Sequence, residues 1–328
     1  MVEVSNPEKD PAELVCDGRG VGPAGRPVVL AYRDVPLGGP RAMPVRRSLP
    51  QRGRSLIGAW CFVDHYGPDD VSETGGMKVP GHPHTGLQTV SWLFTGEIEH
   101  RDTTGAHALV RPGELNIMTA GSGIAHSEYS TDSTTVLHGA QLWVALPDEH
   151  RFVSPAFEHY APPATDVEGA RVLVFLGTLF GETSPVSMYT DLVGAEINLR
   201  PGQQLEMSVS AEHEHGFLCD TGMLISAGAV AKPGEIIFHP TGTDHLAIEG
   251  DPSEPTRVLL LGGEPLGEQI VMWWNFIGRT HDEVVRFREG WHRERETHGG
   301  VQFGAFPDSW PDTLPAPALP NVRLRTRG

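Results

Sequence analysis

The chain has 328 residues, enough for two ordinary cores or one large all-β domain, since domains usually run to about 100–200 residues. A formal charge of −17 argues against broad binding to nucleic acid or an anionic membrane, both of which need clustered cations. Its 39 glycines and 28 prolines favour many short strands over long helices.

The first residues, MVEVSNPEKDPAELV, carry no cationic start followed by an apolar stretch, and no window approaches the roughly 18 apolar residues of a membrane span. Cys16, Cys61 and Cys219 are an odd three without CxxC spacing, which speaks against a disulfide framework. A cytoplasmic protein in a reducing compartment is expected. Residues 1–25 are polar and read as a flexible tail. No P-loop, GxSxG or Rossmann glycine pattern is present.

From Pro27 onward short strand-like segments follow one another: PVVLAYRDV, LIGAWCFVDHY, QTVSWLFTG, EIEHRDTT, HALVRP, LNIMTAG and LHGAQLWVAL. Each is rich in Val, Trp, Phe, Tyr or Thr and bounded by Gly, Pro or Asp. After the break APPATDVEG comes a second series, RVLVFLG, VSMYTDLVGAEINL, QLEMSVS, HGFLCDTG, MLISAG, EIIFHP and DHLAIEG. The two series repeat each other. PGELNIMTAGSGIAHSE resembles PGEIIFHPTGTDHLAIE, with Gly113 and Gly234 121 residues apart, His126 and His245 119 apart, and the strand-ending Gly96 and Gly222 126 apart. Agreement within a few residues implies a duplicated all-β unit, folded as two small barrels packed together. Residues 26–160 and 166–279 are the expected copies. Thr280 and Glu283 then form a T-x-x-E capping box, and Val284, Val285, Phe287, Arg288 and Trp291 a helical stripe. Residues 280–328 are expected to be this helix and an extended segment whose Phe303, Phe306 and Trp310 dock it on a barrel.

HPHTGLQTVSW puts His82 and His84 two residues apart before a strand. Sixteen histidines would supply roughly one H-x-H by chance, and the competing reading is of core or turn histidines bonded to backbone. In a strand, however, residues i and i+2 share a face. The same spacing recurs in His126 and Glu128 of GIAHSE, so two strands would present three imidazoles and one carboxylate to one centre. Imidazole suits Fe, Ni, Cu or Zn, and a cysteine-free four-ligand site leaves positions open on a six-coordinate ion.

RRSLPQRGRSLIGAWCFVDHYGP, HPHTGLQTVSWLFTGEIEHRDTTG, RPGELNIMTAGSGIAHSE, LHGAQLWVALP and LLLGGEPLGEQIVM resemble, in sequence and order, the pirin family of bicupins. The resemblance spans about Pro27 to Trp291. It implies two cupin-type barrels and one non-haem metal in the first, commonly iron (alternatives Ni, Cu, Zn or Mn), held by His82, His84, His126 and Glu128. It also implies quercetin 2,3-dioxygenase chemistry on a small phenolic substrate with O₂, or alternatively regulatory binding to a protein partner without turnover. Where the family often has Glu four residues after the second histidine, this chain has Gln88. An amide can orient water or substrate but is no base, which leaves Glu128 as the candidate base. Val90, Trp92, Phe94 and Met118 are expected to line the cavity.

The second copy has its own H-E-H, His213 to His215, but His215 precedes Gly222 by 7 residues where His84 precedes Gly96 by 12, and Ala247 stands two after His245. A barrel without metal is expected there. Trp273 and Trp274 are expected between the barrels, and Cys61 as inert core.

Overall fold

Strands rich in Val, Leu and Trp on both faces must be covered on both sides, and that requirement sets the layering. The computed structural model describes residues 26–37, 43–310 and 312–328; the expected tail over residues 1–25, with Cys16, lies outside them. In chain order the first strands are β1 (Val28–Leu30), β2 (Arg33–Leu37), β3 (Met43–Leu49), β4 (Trp60–Asp70), β5 (Lys78–His84) and β6 (Leu87–Thr95). They continue as β7 (Ile98–Asp102), β8 (His107–Val110), β9 (Leu115–Thr119), β10 (Ile124–Ser130), β11 (Val136–Ala145) and β12 (Ala156–Tyr160).

The first barrel closes a seven-stranded sheet, ordered β12-β9-β6-β11-β4-β3-β2, over a four-stranded sheet, β5-β10-β7-β8. The second repeats the plan. Its larger sheet runs β1, Ile236–His239, Glu214–Thr221, Thr256–Gly263, Leu192–Leu199, Ala170–Leu176 and Ala164–Val167, and its smaller sheet Gln204–Ser208, His245–Gly250, Leu224–Ser226 and Ala229–Ala231. The fold is all-β, two cupin-type barrels with one long C-terminal helix. Residues 28–30, which the sequence reading gives to the first barrel, pair instead with Ile236–Phe238 of the second. That strand and β12 occupy equivalent edges of the two large sheets.

The two large sheets pack face to face. Val90, Trp92 and Phe94 of β6 meet Phe175, Leu218, Leu259 and Leu261 in one shared core, and Trp92 donates its indole N–H to Glu196 at 2.8 Å. Asp220 fastens the same interface: His65 Nε2 and His138 Nε2 each lie 2.6 Å from its Oδ1, and Arg257 Nε lies 2.6 Å from Oδ2. The bond from His65, the close His138 ring and the half-buried guanidinium together describe an ionic clamp across the interface. Burial works to raise the Asp220 carboxyl, but the bonds from His138 and His65 outweigh it and hold it well below the usual carboxylate range.

The helix His281–Glu296 is capped by Thr280, whose side chain accepts from the Glu283 N–H. The Glu283 carboxylate accepts from Arg279 N at 2.6 Å. Trp273 and Trp274 do not separate the barrels as expected; they join Val284, Phe287 and Trp291 of the helix and Phe303 and Leu314 of the tail. The shared core is already filled by both large sheets, so these rings pack under the helix. The tail reaches the first barrel, where Leu314 N donates to Gly81 O at 2.8 Å. No helix among the described residues is long and apolar enough to cross a membrane.

Candidate metal centre

His82 and His84 end β5, which runs antiparallel to β10 with His82 opposite His126 and His84 opposite Ile124. The chain then reverses at Gly86, whose φ of 70° favours glycine, and the Ile277 carbonyl sits where a Cβ would be. Beyond His126 the β5–β10 register shifts. On its other side β10 pairs with β7, which sets His126 opposite Asp102 and Glu128 opposite His100.

The strands therefore deliver the three expected histidines to one place. Ring centroids lie 5.1 Å apart for His82 and His84, 4.3 Å for His82 and His126, and 4.9 Å for His84 and His126. One ring nitrogen of each lies within 4.8 Å of the others, and His100, His126 and Glu128 form a second such group that shares His126. All five side chains are buried.

Burial disfavours the charged ring: it lowers His82 to about 4, and His84 and His126 well below the ordinary imidazole value, with the neighbouring rings adding to the effect. Neutral imidazole is the metal-binding form. His82 Nδ1 lies 2.9 Å from the Pro80 carbonyl, a bond it can make only as donor, so its Nε2 keeps a lone pair. His84 Nδ1 and His126 Nε2 are buried without a hydrogen-bond partner. Burial raises the Glu128 carboxyl, opposed by His100 and by the Ser91 hydroxyl, which donates to it at 3.1 Å. Orphaned imidazole nitrogens beside a buried carboxylate are costly unless something binds them. A single transition metal fits this donor set.

The cluster opens on a cavity of about 30 Å³, walled by Phe62, Tyr66, Met77, Val79 and Trp143. Asp64 also reaches the wall, but Arg47 holds it through two bonds, at 2.6 and 2.8 Å. The expected wall residues are elsewhere. Val90, Trp92 and Phe94 belong to the core between the barrels, and Met118 packs with Leu87 and Trp143 in a separate cluster. Gln88 shares the Val90 face of β6 and donates to Thr119 at 2.9 Å. Ser91, on the other face, is the β6 residue that reaches Glu128. Gln88 does not continue the His82–His84 face, because the turn at Gly86 separates two strands in different sheets.

His100 was missed as a member of the cluster, although IEHRD offers H-x-D with the same one-face spacing as H-x-H and H-x-E. Tyr66 and Asp64 carry no such signal. In the second barrel, Ser208 stands opposite His245 and Glu206 opposite Ala247. The His245 side chain is 69% exposed and pairs with Asp244. His215 stands opposite His239, whose Nε2 lies 3.0 Å from the Ser226 hydroxyl. Cys61 and Cys219 are free and buried, and burial pushes both thiols up, Cys219 to about 12.

Known proteins carry the same plan. Residues 42–144 match the family Pirin, and residues 194–297 match the Pirin C-terminal cupin domain. A Pseudomonas aeruginosa protein named "Putative quercetin 2,3-dioxygenase PA1205" is 39% identical over 292 residues, 89% of this chain and 90% of that one. A "Pirin-like protein" of Caulobacter vibrioides is 32% identical over 80% of this chain and 92% of its own length. The crystal structure of a quercetin 2,3-dioxygenase from Acinetobacter baumannii superposes with a TM-score of 0.84 at 37% identity, covering 92% of this chain and 97% of that one. Two matched domains, these relatives and the paired barrels together show that the chain belongs to the pirin family.

Proposed function

We propose that the first barrel holds one transition metal, iron in the native protein, through His82, His84, His126 and Glu128, and that the chain opens a flavonol or related enediol with O₂. The observation that carries this reading is the buried imidazole and carboxylate cluster facing an aromatic-walled cavity. A cavity of about 30 Å³ has room for an ion and a water, so a flavonol enters only as the aromatic walls part. The names of the Pseudomonas and Acinetobacter relatives point to the same chemistry.

When bound, the metal supplies redox exchange with O₂ and a seat for a chelating phenol. The chain's own residues do the rest. Phe62 and Trp143, stacked on each other with centroids 4.1 Å apart, present an apolar wall to a flat ring system, and Met77 and Val79 exclude water beside it. Glu128 is the base for the substrate hydroxyl, and Ser91 holds it in place. Asp64, tied to Arg47, is unsuited to that task.

A carboxylate replaced by Gln88 would favour the alternative of a metal-dependent regulatory binding protein only if position 88 faced the cluster. With Gln88 bonded to Thr119, that substitution bears on the packing of β6 against β9 and not on the base. Cytoplasmic location belongs to the same proposal, on the strength of two free buried cysteines; cell fractionation tests it. Iron-loaded full chain should consume O₂ with quercetin and release carbon monoxide. Glu128→Gln should slow it at least about 100-fold. No uptake with quercetin or a panel of related phenols would overturn the assignment.

A further inference from the structure

Two sides of the His126 ring meet different surroundings. Its Nε2 is buried without a hydrogen-bond partner, and its Nδ1 lies 3.4 Å from Nδ1 of His100. His100 is held in turn. Its Nε2 is 3.0 Å from Oδ2 of Asp102, and its ring stacks on Phe157 with centroids 4.8 Å apart at 27°. Asp102 is fixed through its other oxygen, which accepts from Thr104 N at 2.8 Å, Thr104 Oγ1 at 2.6 Å and Ala106 N at 3.2 Å. His100, Asp102 and the loop that follows thus form one braced unit behind His126.

We propose that Asp102 and His100 are positioning residues that fix the tautomer of His126, so that its Nε2 lone pair always faces the metal. This rests on the reading that the cluster binds a metal. A carboxylate without a proton can only accept, so His100 carries its hydrogen on Nε2 and keeps a lone pair on Nδ1. That lone pair accepts from His126 Nδ1–H. The hydrogen of His126 is then on Nδ1, and Nε2 is free to bind. Partners behind a ligating histidine commonly set its ring in this way, and losing one typically weakens metal binding about 10–100-fold. Here the partner is a second imidazole, and the carboxylate acts one ring further back.

Asp102→Asn is the sharpest variant. Two backbone N–H groups and the Thr104 hydroxyl face the Oδ1 position, so the amide oxygen must stay there and the NH₂ must turn to His100 Nε2. Each bond in the relay then reverses, and His126 carries its hydrogen on Nε2, where the metal should bind. Nickel(II) titration of the full chain should show affinity about 10–100-fold weaker in Asp102→Asn than in wild type, and Asp102→Glu, which restores an acceptor, should recover part of it. Unchanged nickel affinity in Asp102→Asn overturns the proposal.

Nitrogen-15 NMR of the histidine rings in metal-free wild-type chain needs no variant to fold. It should show His126 protonated on Nδ1 and His100 on Nε2; His126 protonated on Nε2 overturns the relay. A wild-type chain that binds no nickel defeats the metal reading instead, and the ring tautomers then decide the relay by themselves.

Discussion

The two barrels share strand order and differ in what their smaller sheets carry. In the first, His82 faces His126 across the β5–β10 pair, with Glu128 two residues on. In the second, Ser208 faces His245, and Ala247 stands two residues on. The first interior gathers three imidazoles and a carboxylate beside a cavity, while the second keeps His215 and His239 but is otherwise filled by Met207, Phe217, Leu246 and Leu260. The large sheets do the same work in both, burying one face in the barrel and the other in the shared core. The contrast between the barrels thus rests on a few inward positions of one small sheet.

The largest effect should come from breaking the first barrel's cluster. His84→Ala is expected to lower oxygen uptake with quercetin at least about 100-fold while the circular dichroism spectrum stays that of wild type; retention of uptake would remove His84 from the site. Next comes the scaffold the barrels share. Asp220→Ala leaves the buried His65 and His138 and the half-buried Arg257 without their common partner, and losing the partner of a buried charge pair costs about 3–5 kcal/mol. Urea unfolding should show that loss, and a change below about 1 kcal/mol would mean that the clamp does not hold the barrels.

Acid sharpens the comparison because both barrels bury histidines. Burial lowers His82 in the first barrel and His215 and His239 in the second to about 4. These folded values lie below the unfolded value of about 6.5. The unfolded chain thus binds more protons between them. Stability of the metal-free chain should be complete above about pH 6.5 and fall toward pH 4, by about 1.4 kcal/mol per pH unit for each such ring. Denaturant midpoints that stay constant across that window would contradict the burial of these rings.

Gln88→Glu tests what position 88 does. A carboxylate between β6 and β9 should cost about 1–3 kcal/mol of stability and bring no gain in oxygen uptake; faster turnover would put position 88 in the active site. The smallest effect belongs to His245→Ala. With its side chain 69% exposed, it should shift stability by less than about 0.5 kcal/mol and leave activity unchanged.

Much of this was legible in the residues. The 119–126-residue repeat implied the duplicated barrel, and the i, i+2 spacing of His82 with His84 brought the right rings together. What period two could not supply was which face of β6 lines the cavity. Val90, Trp92 and Phe94 alternate with Ser91 and Leu93, and all are buried, so no polar face marks the outside. The turn at Gly86 hid the change of sheet that removes Gln88 from the cluster. His100 was legible in principle, since H-x-D in IEHRD obeys the same rule as the two motifs that were found. The edge strand β1 was not, because three residues that pair across more than 200 positions carry no local sign of their partner.

Metal content tests the contrast between the barrels most directly. Wild type, His126→Ala and His245→Ala, purified identically and measured by elemental analysis, should give about one transition metal per chain in wild type and His245→Ala and almost none in His126→Ala. Equal metal in wild type and His126→Ala, or its loss in His245→Ala, would contradict a single metal in the first barrel.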